Sequence, residues 1–363
     1  FSLEVGLENC LFVHVCLVPF ISGSDEYKTK PTQHSVKELQ GMGIRPNIII
    51  ARSDNEIDEG LLNKIAMFCN VKSDCVINDV TLSDLYACPG YLHEKKLDEV
   101  AVRELNLPDN KIDFSEWNAM LDKMKSRKGE VEIAIVGKYC KLRDSYISIV
   151  EALNHAGYEN GKHVKIRWIE AEDITSDEEA EKLLKGAHGV LVPGGFGTRG
   201  IEGKILACKF ARTHKVPYFG ICLGMQIAVI EFARDVAGLK NASSREFDSD
   251  GNELVIDLMP DQLGKKKGGT MRLGAYPCKI VPGTIMDKSY KSNMISERHR
   301  HRYEFNNDFK DLLVKNGLII SGVNPEKNIV ETVEFNNKEQ YFIGVQFHPE
   351  LKSRPTKPHP LFV

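Results

Sequence analysis

The stretch Val216-Pro217-Tyr218-Phe219-Gly220-Ile221-Cys222-Leu223-Gly224-Met225-Gln226 decides how the rest of the chain is read. An apolar, β-favouring run enters a Gly-x-Cys-x-Gly turn and leaves as Met225-Gln226-Ile227-Ala228-Val229-Ile230-Glu231-Phe232-Ala233-Arg234. Apolar positions in that second run recur at helical spacing, so the pattern predicts strand, sharp turn and helix with a thiol at the apex. Gly220 and Gly224 flank the thiol at i−2 and i+2, where a strained elbow brings backbone segments together and a Cβ would clash. The partial positive charge of a helix N-terminus favours the thiolate, the form that attacks carbonyl carbon. A buried core cysteine between two packing glycines is the competing reading.

Two other stretches weigh against that competitor. Tyr341-Phe342-Ile343-Gly344-Val345-Gln346-Phe347-His348-Pro349-Glu350 is an apolar strand ending in a histidine and a glutamate two residues apart. In extended chain such residues face one side, so the carboxylate can orient the imidazole. Upstream, His188-Gly189-Val190-Leu191-Val192-Pro193-Gly194-Gly195-Phe196-Gly197 is a third strand, running into a glycine turn whose backbone N–H groups can bind an oxyanion. Singly, each reads equally well as a surface turn or a loop; together and in this order they are specific.

The set Pro193-Gly194-Gly195-Phe196-Gly197, Gly220-Ile221-Cys222-Leu223-Gly224-Met225-Gln226 and Phe347-His348-Pro349-Glu350 resembles the class I (triad) glutamine amidotransferases. Two more blocks resemble the CTP synthases: Glu297-Arg298-His299-Arg300-His301-Arg302-Tyr303-Glu304 in the glutaminase part, and Lys28-Thr29-Lys30-Pro31-Thr32-Gln33-His34-Ser35 in the synthase part. The likeness covers nearly the whole chain. It implies an α/β protein of two domains: a partial P-loop-type (Rossmann-like) amidoligase domain and a doubly wound parallel-sheet class I glutamine amidotransferase domain. It also implies a ligase that aminates UTP to CTP with ATP and Mg²⁺, using ammonia hydrolysed from L-glutamine. CTP would be product and inhibitor, and GTP an allosteric activator. A cytoplasmic homotetramer able to polymerise into filaments is implied as well, with no tightly bound cofactor in the glutaminase domain and no metal ligand in this chain.

Bulk properties agree with such a protein. The 363 residues are 42% hydrophobic and 27% charged, with a formal net charge of −3. That length suggests two domains, each with a core. No global charge excess points to nucleic acid or a membrane surface, so anionic ligands must be held by local basic clusters. Nine cysteines, at 10, 16, 69, 75, 88, 140, 208, 222 and 278, show no Cys-x-x-Cys spacing. Reduced thiols fit that scatter better than a disulfide framework. The apolar start, Phe1 to Phe20, lacks a basic n-region and is interrupted by Glu4, Glu8, His14 and Pro19. Cys10 to Val18 is expected as a buried strand rather than a signal peptide, and a start at Phe1 reads as a cut from something longer.

Residues 20 to 35 read as a polar loop stiffened by Pro31, whose lysines, hydroxyls and amide offer donors to phosphate oxygens. The resemblance makes Lys28, Lys30 and Gln33 contacts of UTP or CTP and adds Lys64; alone, these lysines would be solvated surface. Strand Asn47 to Ala51, helix Leu61 to Phe68, strand Cys75 to Ile77, a helical region Ser83 to Leu107 and a helix Ser115 to Met124 follow. Residues 1–122 are taken as the end of the amidoligase domain, 123–130 as a charged linker and 131–363 as the amidotransferase domain.

The second domain opens on Val131 to Val136 with no G-x-G-x-x-G, excluding a dinucleotide site. Helix Asp144 to Ala156, strand Val164 to Ile169 and capped helix Ser176 to Leu184 imply a parallel sheet covered on both faces. Three of its strands, Gly189 to Val192, Pro217 to Ile221 and Phe342 to Phe347, deliver Gly195, Cys222 and His348 to its carboxyl edge, where sites form. Cys222 is then the nucleophile, His348 the base and later acid, and Glu350 its orienter. N–H groups of Gly195 and Leu223 would form the oxyanion hole beside Gly224 and Met225. By resemblance Gln226, Glu246 and Arg302 hold the amino-acid end of glutamine. In place of the usual Asn-Ser-Thr-Glu-Phe the chain has Ala242-Ser243-Ser244-Arg245-Glu246-Phe247, so Arg245 is a departure. Phe196 and Arg199 are implied near GTP, which the residues themselves do not derive.

The block from Arg298 to Arg302 could mark a nucleic-acid patch, but it lacks a surrounding basic surface. Two alternatives stay open: another triad amidotransferase or γ-glutamyl hydrolase, and a non-catalytic filament-forming scaffold. No G-x-x-x-x-G-K-[ST] occurs in the sequence, and Gly264-Lys265-Lys266-Lys267-Gly268-Gly269 has the wrong spacing and reads as a mobile basic loop. The family's ATP loop is expected upstream of Phe1, so this polypeptide alone is expected to act as a glutaminase only.

Overall fold

The computed structural model describes residues 1–258, 271–335 and 340–363. The lysine-glycine stretch from Gly264 to Gly269 lies outside them. The chain divides into two compact units, Phe1–Leu121 and Asp122–Val363.

In the first unit, β1 (Val13–Leu17), β2 (Ile48–Ser53) and β3 (Val76–Val80) form a parallel sheet in the order β1-β2-β3. The run Ile48-Ile49-Ile50-Ala51 is continuously apolar because β2 is central and covered on both faces. Ile49 and Ala51 pack with Val36 of α1 (Lys30–Gly41) and Ile65 of α2 (Glu59–Cys69), while Ile48 and Ile50 pack with Ile77 and Val100 on the other face. Three expectations are corrected here. β1 is shorter than Cys10 to Val18, and at the sheet edge its Val13, Val15 and Leu17 alternate to the exposed side. The polar loop ends at Thr29, because Pro31 sits in the first turn of α1, where its missing N–H costs no hydrogen bond. The helical region from Ser83 is two α-helices, Cys88–Glu94 and Leu97–Glu104, broken where Lys96 takes φ 63°. The last helix, Ser115–Lys125, runs into the stretch expected as linker.

Among the described residues the second unit holds a small three-stranded sheet of Ser243–Ser244, Leu254–Leu258 and Tyr303–Phe305, and a nine-stranded one. β4 (Glu130–Gly137), β5 (His163–Glu170), β6 (Gly189–Val192), β7 (Tyr218–Ile221) and β12 (Phe342–Val345) are parallel, side by side as β12-β7-β6-β4-β5. β8 (Arg272–Ile280), β9 (Met294–His301), β10 (Leu318–Asn324) and β11 (Ile329–Phe335) extend it antiparallel beyond β12, giving the described order β9-β8-β10-β11-β12. The sequence did not reveal this extension, since β8, β9 and β11 carry charged or histidine residues at buried positions that a strand normally fills with apolar ones. α3 (Ile147–Glu159) covers one face, with Ile149 and Leu153 against Ile135, Leu191 and Phe219. α4 (Ile201–Thr213) and α5 (Leu223–Asp235) cover the other, against Val136, Val190 and Val192. That is the doubly wound arrangement. The strands expected to carry Gly195, Cys222 and His348 are neighbours in it, as β6, β7 and β12.

Candidate active site

Cys222 stands between β7 and α5 with φ 52° and ψ −101°, a conformation an L-residue adopts only when its surroundings impose it. The imposition is visible in the two glycines. A Cβ on Gly220 would lie 2.4 Å from the Gly224 carbonyl oxygen, and one on Gly224 would lie 2.1 Å from that of Val192. The elbow is closed by the Tyr218 hydroxyl, which donates to the Gly224 carbonyl at 2.8 Å, and by the Cys222 N–H, which donates to Val345 at 2.7 Å. Leu223 is the first residue of α5, so its N–H is one that a helix leaves without an intrahelical partner.

His348 follows β12, anchored by its N–H to the Arg298 carbonyl of β9 at 2.8 Å. Its Nδ1 meets Glu350 Oε1 at 2.8 Å, with both side chains largely buried. A Cβ on Gly194 would lie 2.9 Å from His348 Cε1 and 3.4 Å from the Cys222 Cβ, so the bare glycine admits the ring beside the thiol. Burial opposes the imidazolium, but the Cys222 sulfur and the Glu350 carboxylate outweigh it and raise His348 to about 11. The arrangement therefore favours an imidazolium facing sulfur. A cavity of about 280 Å³ opens there, lined by Gly195, Phe196, Cys222, His348 and Glu350. Tyr146 and Arg300 also line it. Nothing in the sequence marked Tyr146, whereas Arg300 belonged to the basic block without being singled out.

The remaining expected residues divide. Met225 has no exposed surface and its side chain packs in the core, its Cα within 2.9 Å of where a Gly344 Cβ would be. Gly224 serves the elbow. Gln226 is buried and donates to the Tyr303 carbonyl at 3.0 Å and to Gln346 Oε1 at 3.2 Å. Glu246 accepts from the Gly197 N–H at 2.7 Å, tying the glycine loop down. Arg302 and Glu246 both lie close enough to Tyr303 to act on its hydroxyl electrostatically. The unusual Arg245 forms a two-pronged pair with Asp257, one contact at 2.9 Å. Arg199 donates to the Lys138 carbonyl at 2.5 Å and lies over Tyr139, while Phe196 is 40% exposed.

In the first unit, Lys28 pairs with Glu26, and both Lys28 and Lys64 hold that carboxylate below its usual range. The structure thus brings Lys28 and Lys64 to one place although 35 residues separate them. Lys30 is exposed at the start of α1, and Gln33 donates to Thr29 Oγ1 at 3.1 Å.

The block read as cationic is a strand with alternating faces: Arg298 and Arg300 are exposed, whereas Glu297, His299 and His301 are buried. Donor atoms of His299, His301 and Glu331 lie within 4.8 Å of one another, close enough for a metal ion. Arg272 reaches the same cluster, its guanidinium 2.6 Å from Glu331. Burial and the Arg272 charge lower His299 to about 2 and His301 to about 3, so both rings are neutral.

Comparison with known proteins adds to this geometry. Residues 141–363 match the family model of class-I glutamine amidotransferases, and residues 1–107 that of the CTP synthase N-terminus. The CTP synthase of Caldanaerobacter subterraneus subsp. tengcongensis is 52% identical over 362 residues, covering 99% of this chain and 67% of that protein. That of Clostridium kluyveri is 53% identical over 360 residues, with the same shares. Among solved structures, the glutaminase domain of Trypanosoma brucei CTPS with bound acivicin is 41% identical with a TM-score of 0.60, covering 64% of this chain and 90% of that one. No helix among the described residues is long and apolar enough to cross a membrane.

Proposed function

The chain belongs to the CTP synthase family, and from that premise we propose that Cys222, His348 and Glu350 are the triad with which it releases ammonia from L-glutamine. The single observation carrying this assignment is the strained Cys222 at a helix N-terminus, beside a histidine whose other nitrogen is held by Glu350 at 2.8 Å. The Cys222 thiolate attacks the side-chain amide carbon of glutamine, forming the C–S bond. The amide oxygen takes up negative charge against the N–H groups of Gly195 and Leu223. His348 gives its proton to the leaving nitrogen, ammonia departs and a thioester stays on Cys222. Water, deprotonated by His348, then adds to the thioester, and glutamate leaves as the thiolate returns. Glu350 keeps the imidazole turned toward sulfur throughout.

Glu246 and Arg302 are assigned to the charged end of glutamine, and Gln226 contributes through the groups it aligns. Ammonia then aminates UTP, which the synthase chemistry activates with ATP and Mg²⁺; no residue of this chain is assigned to ATP. Lys28 and Lys64, with Lys30 and Gln33 nearby, are assigned to the triphosphate of UTP or CTP. Support comes from the convergence of two lysines on one small acidic group, which an incoming phosphate would displace. Phe196 and Arg199 offer an exposed ring and a guanidinium to GTP. A homotetramer, filament assembly and a cytoplasmic location are part of the same reading.

The test is Cys222→Ala in the intact enzyme. Glutamine-dependent CTP formation should disappear, while formation from added ammonia persists. Equal loss of both activities would sink the division of labour.

A further inference from the structure

Gln346 sits two residues before His348, and its side chain is completely buried. Its Nε2 lies 3.7 Å from Cys222 Sγ, and its Oε1 accepts from Gln226 Nε2 at 3.2 Å. The same Gln226 nitrogen donates to the Tyr303 carbonyl at 3.0 Å. A carbonyl can only accept, so that contact fixes which end of the Gln226 amide points there. The Gln226 N–H₂ then requires an oxygen from Gln346, and this turns the Gln346 N–H₂ toward the sulfur. In the flipped orientation two N–H₂ groups would face each other and a carbonyl oxygen would face the thiolate.

The brace continues one step farther. His301 Nδ1 lies 3.1 Å from the Tyr303 carbonyl, and His301 Nε2 lies 3.1 Å from His299 Nδ1. With both rings neutral, His301 must donate from Nδ1 and accept at Nε2, so His299 donates to it. Tyr303 is thereby held by two donors, and the row from β9 through Gln226 to the thiol has one self-consistent set of proton positions.

We propose that Gln346 is a catalytic residue of glutamine hydrolysis whose side-chain amide, aimed by Gln226, donates a hydrogen bond to the Cys222 thiolate. This rests on the reading of Cys222 as the nucleophile. A neutral donor fixed against sulfur favours the charged form over the thiol. It also leaves the imidazolium of His348 available to the leaving nitrogen, since the thiolate has a second partner. The neutral thiol has its own acceptor, the Arg300 carbonyl at 3.8 Å. The amide thus acts on the thiolate and the carbonyl on the thiol.

Titratable and charged groups facing the sulfur or its cavity are His348 and Glu350 after β12, Tyr146 before α3 and Arg300 on β9. None is altered by substitution at Gln346. The experiment uses the full chain as Gln346→Met and Gln346→Leu, which keep bulk and remove the donor. Iodoacetamide is the probe: its carbon bonds to Sγ as iodide leaves, and peptide mass spectrometry follows Cys222 separately from the other cysteines. At pH 7 both variants should be alkylated at least about fivefold more slowly than wild type, the loss of one hydrogen bond to a charged group. The alkaline plateau should stay within about twofold, because there sulfur is deprotonated whatever its partner.

A rate at pH 7 within twofold of wild type overturns the proposal, and so does a fall of equal size at pH 7 and on the plateau, which would mark distorted packing. Where circular dichroism shows neither variant folded, Gln226→Met is read in the same way, since it frees the Gln346 amide to turn; no shift there also overturns the proposal. Wild type separates this failure from that of the triad. If its Cys222 is neither alkylated ahead of the other cysteines nor needed for glutamine hydrolysis, the nucleophile is misassigned. If it meets both conditions and the variants behave like wild type, only the role of Gln346 fails.

Discussion

Protonation of His348 links the two halves of the chemistry, because the group that protonates the leaving nitrogen also stabilises the thiolate. Its folded value lies above the ordinary 6.5, raised to about 11 against the effect of burial by Cys222 and Glu350. A raised histidine holds its proton, and the stabilisation that goes with it, fully below the unfolded value and loses both as pH rises through the folded value. Glu350→Gln removes one of the upward causes, so the upper pH limit of glutamine hydrolysis should move to lower pH. At its optimum the variant should be about 10²- to 10⁴-fold slower, as for orienting carboxylates in comparable triads. An unchanged alkaline limb would show that Glu350 does not act through the imidazole. Arg245 makes a different point at the same scale: a departure from the family pattern looks isolated in sequence, yet folding gives it a carboxylate partner, Asp257.

Elements place these residues more rigidly than any one contact does. The elbow depends on two backbone approaches that only hydrogen side chains permit, at 2.4 Å for Gly220 and 2.1 Å for Gly224. Because the Gly224 neighbour is the backbone of β6, it cannot swing aside as a flexible side chain would. Gly224→Ala should therefore lower stability by about 1–3 kcal/mol or more and cut glutamine hydrolysis in whatever fraction folds. A melting temperature and activity equal to wild type would show that β6 can move. On β9 the same period of two that places Arg298 and Arg300 outward places Glu297, His299 and His301 inward. One strand thus faces the thiol through the Arg300 carbonyl on one side and supports it through Tyr303, Gln226 and Gln346 on the other.

For the whole molecule, the two units carry separate cores and separate candidate sites. Lys28 and Lys64 belong to the first, both acting on the Glu26 carboxylate. Lys28→Ala and Lys64→Ala should each weaken CTP binding at least about tenfold, since charge-assisted bonds contribute roughly 1.5 to 3 kcal/mol. Calorimetric titration with CTP measures this, and glutamine hydrolysis without nucleotide serves as a control on the other unit. Unchanged affinity in both variants would return these lysines to a solvated surface.

Local pattern alone determined the elbow, the strand-helix alternation and the pairing of His348 with Glu350. Each is encoded within about ten residues by periodicity and by glycines with a steric task. The continuous apolar runs of β2, β6, β7 and β12 also marked strands buried on both faces. Sequence could not determine that β6, β7 and β12 would be adjacent, since strand order depends on which long-range pairings bury the most surface together. Nor could it show the antiparallel strands beyond β12, because buried positions of β8, β9 and β11 hold Arg272, Glu297, His299, His301 and Glu331, polar groups that burial tolerates only in one another's company. Gln346 was hidden for the same reason. In sequence it is one polar residue in an apolar strand; its part emerges only when folding brings Gln226, 120 positions away, to within 3.2 Å and leaves its nitrogen facing the thiol.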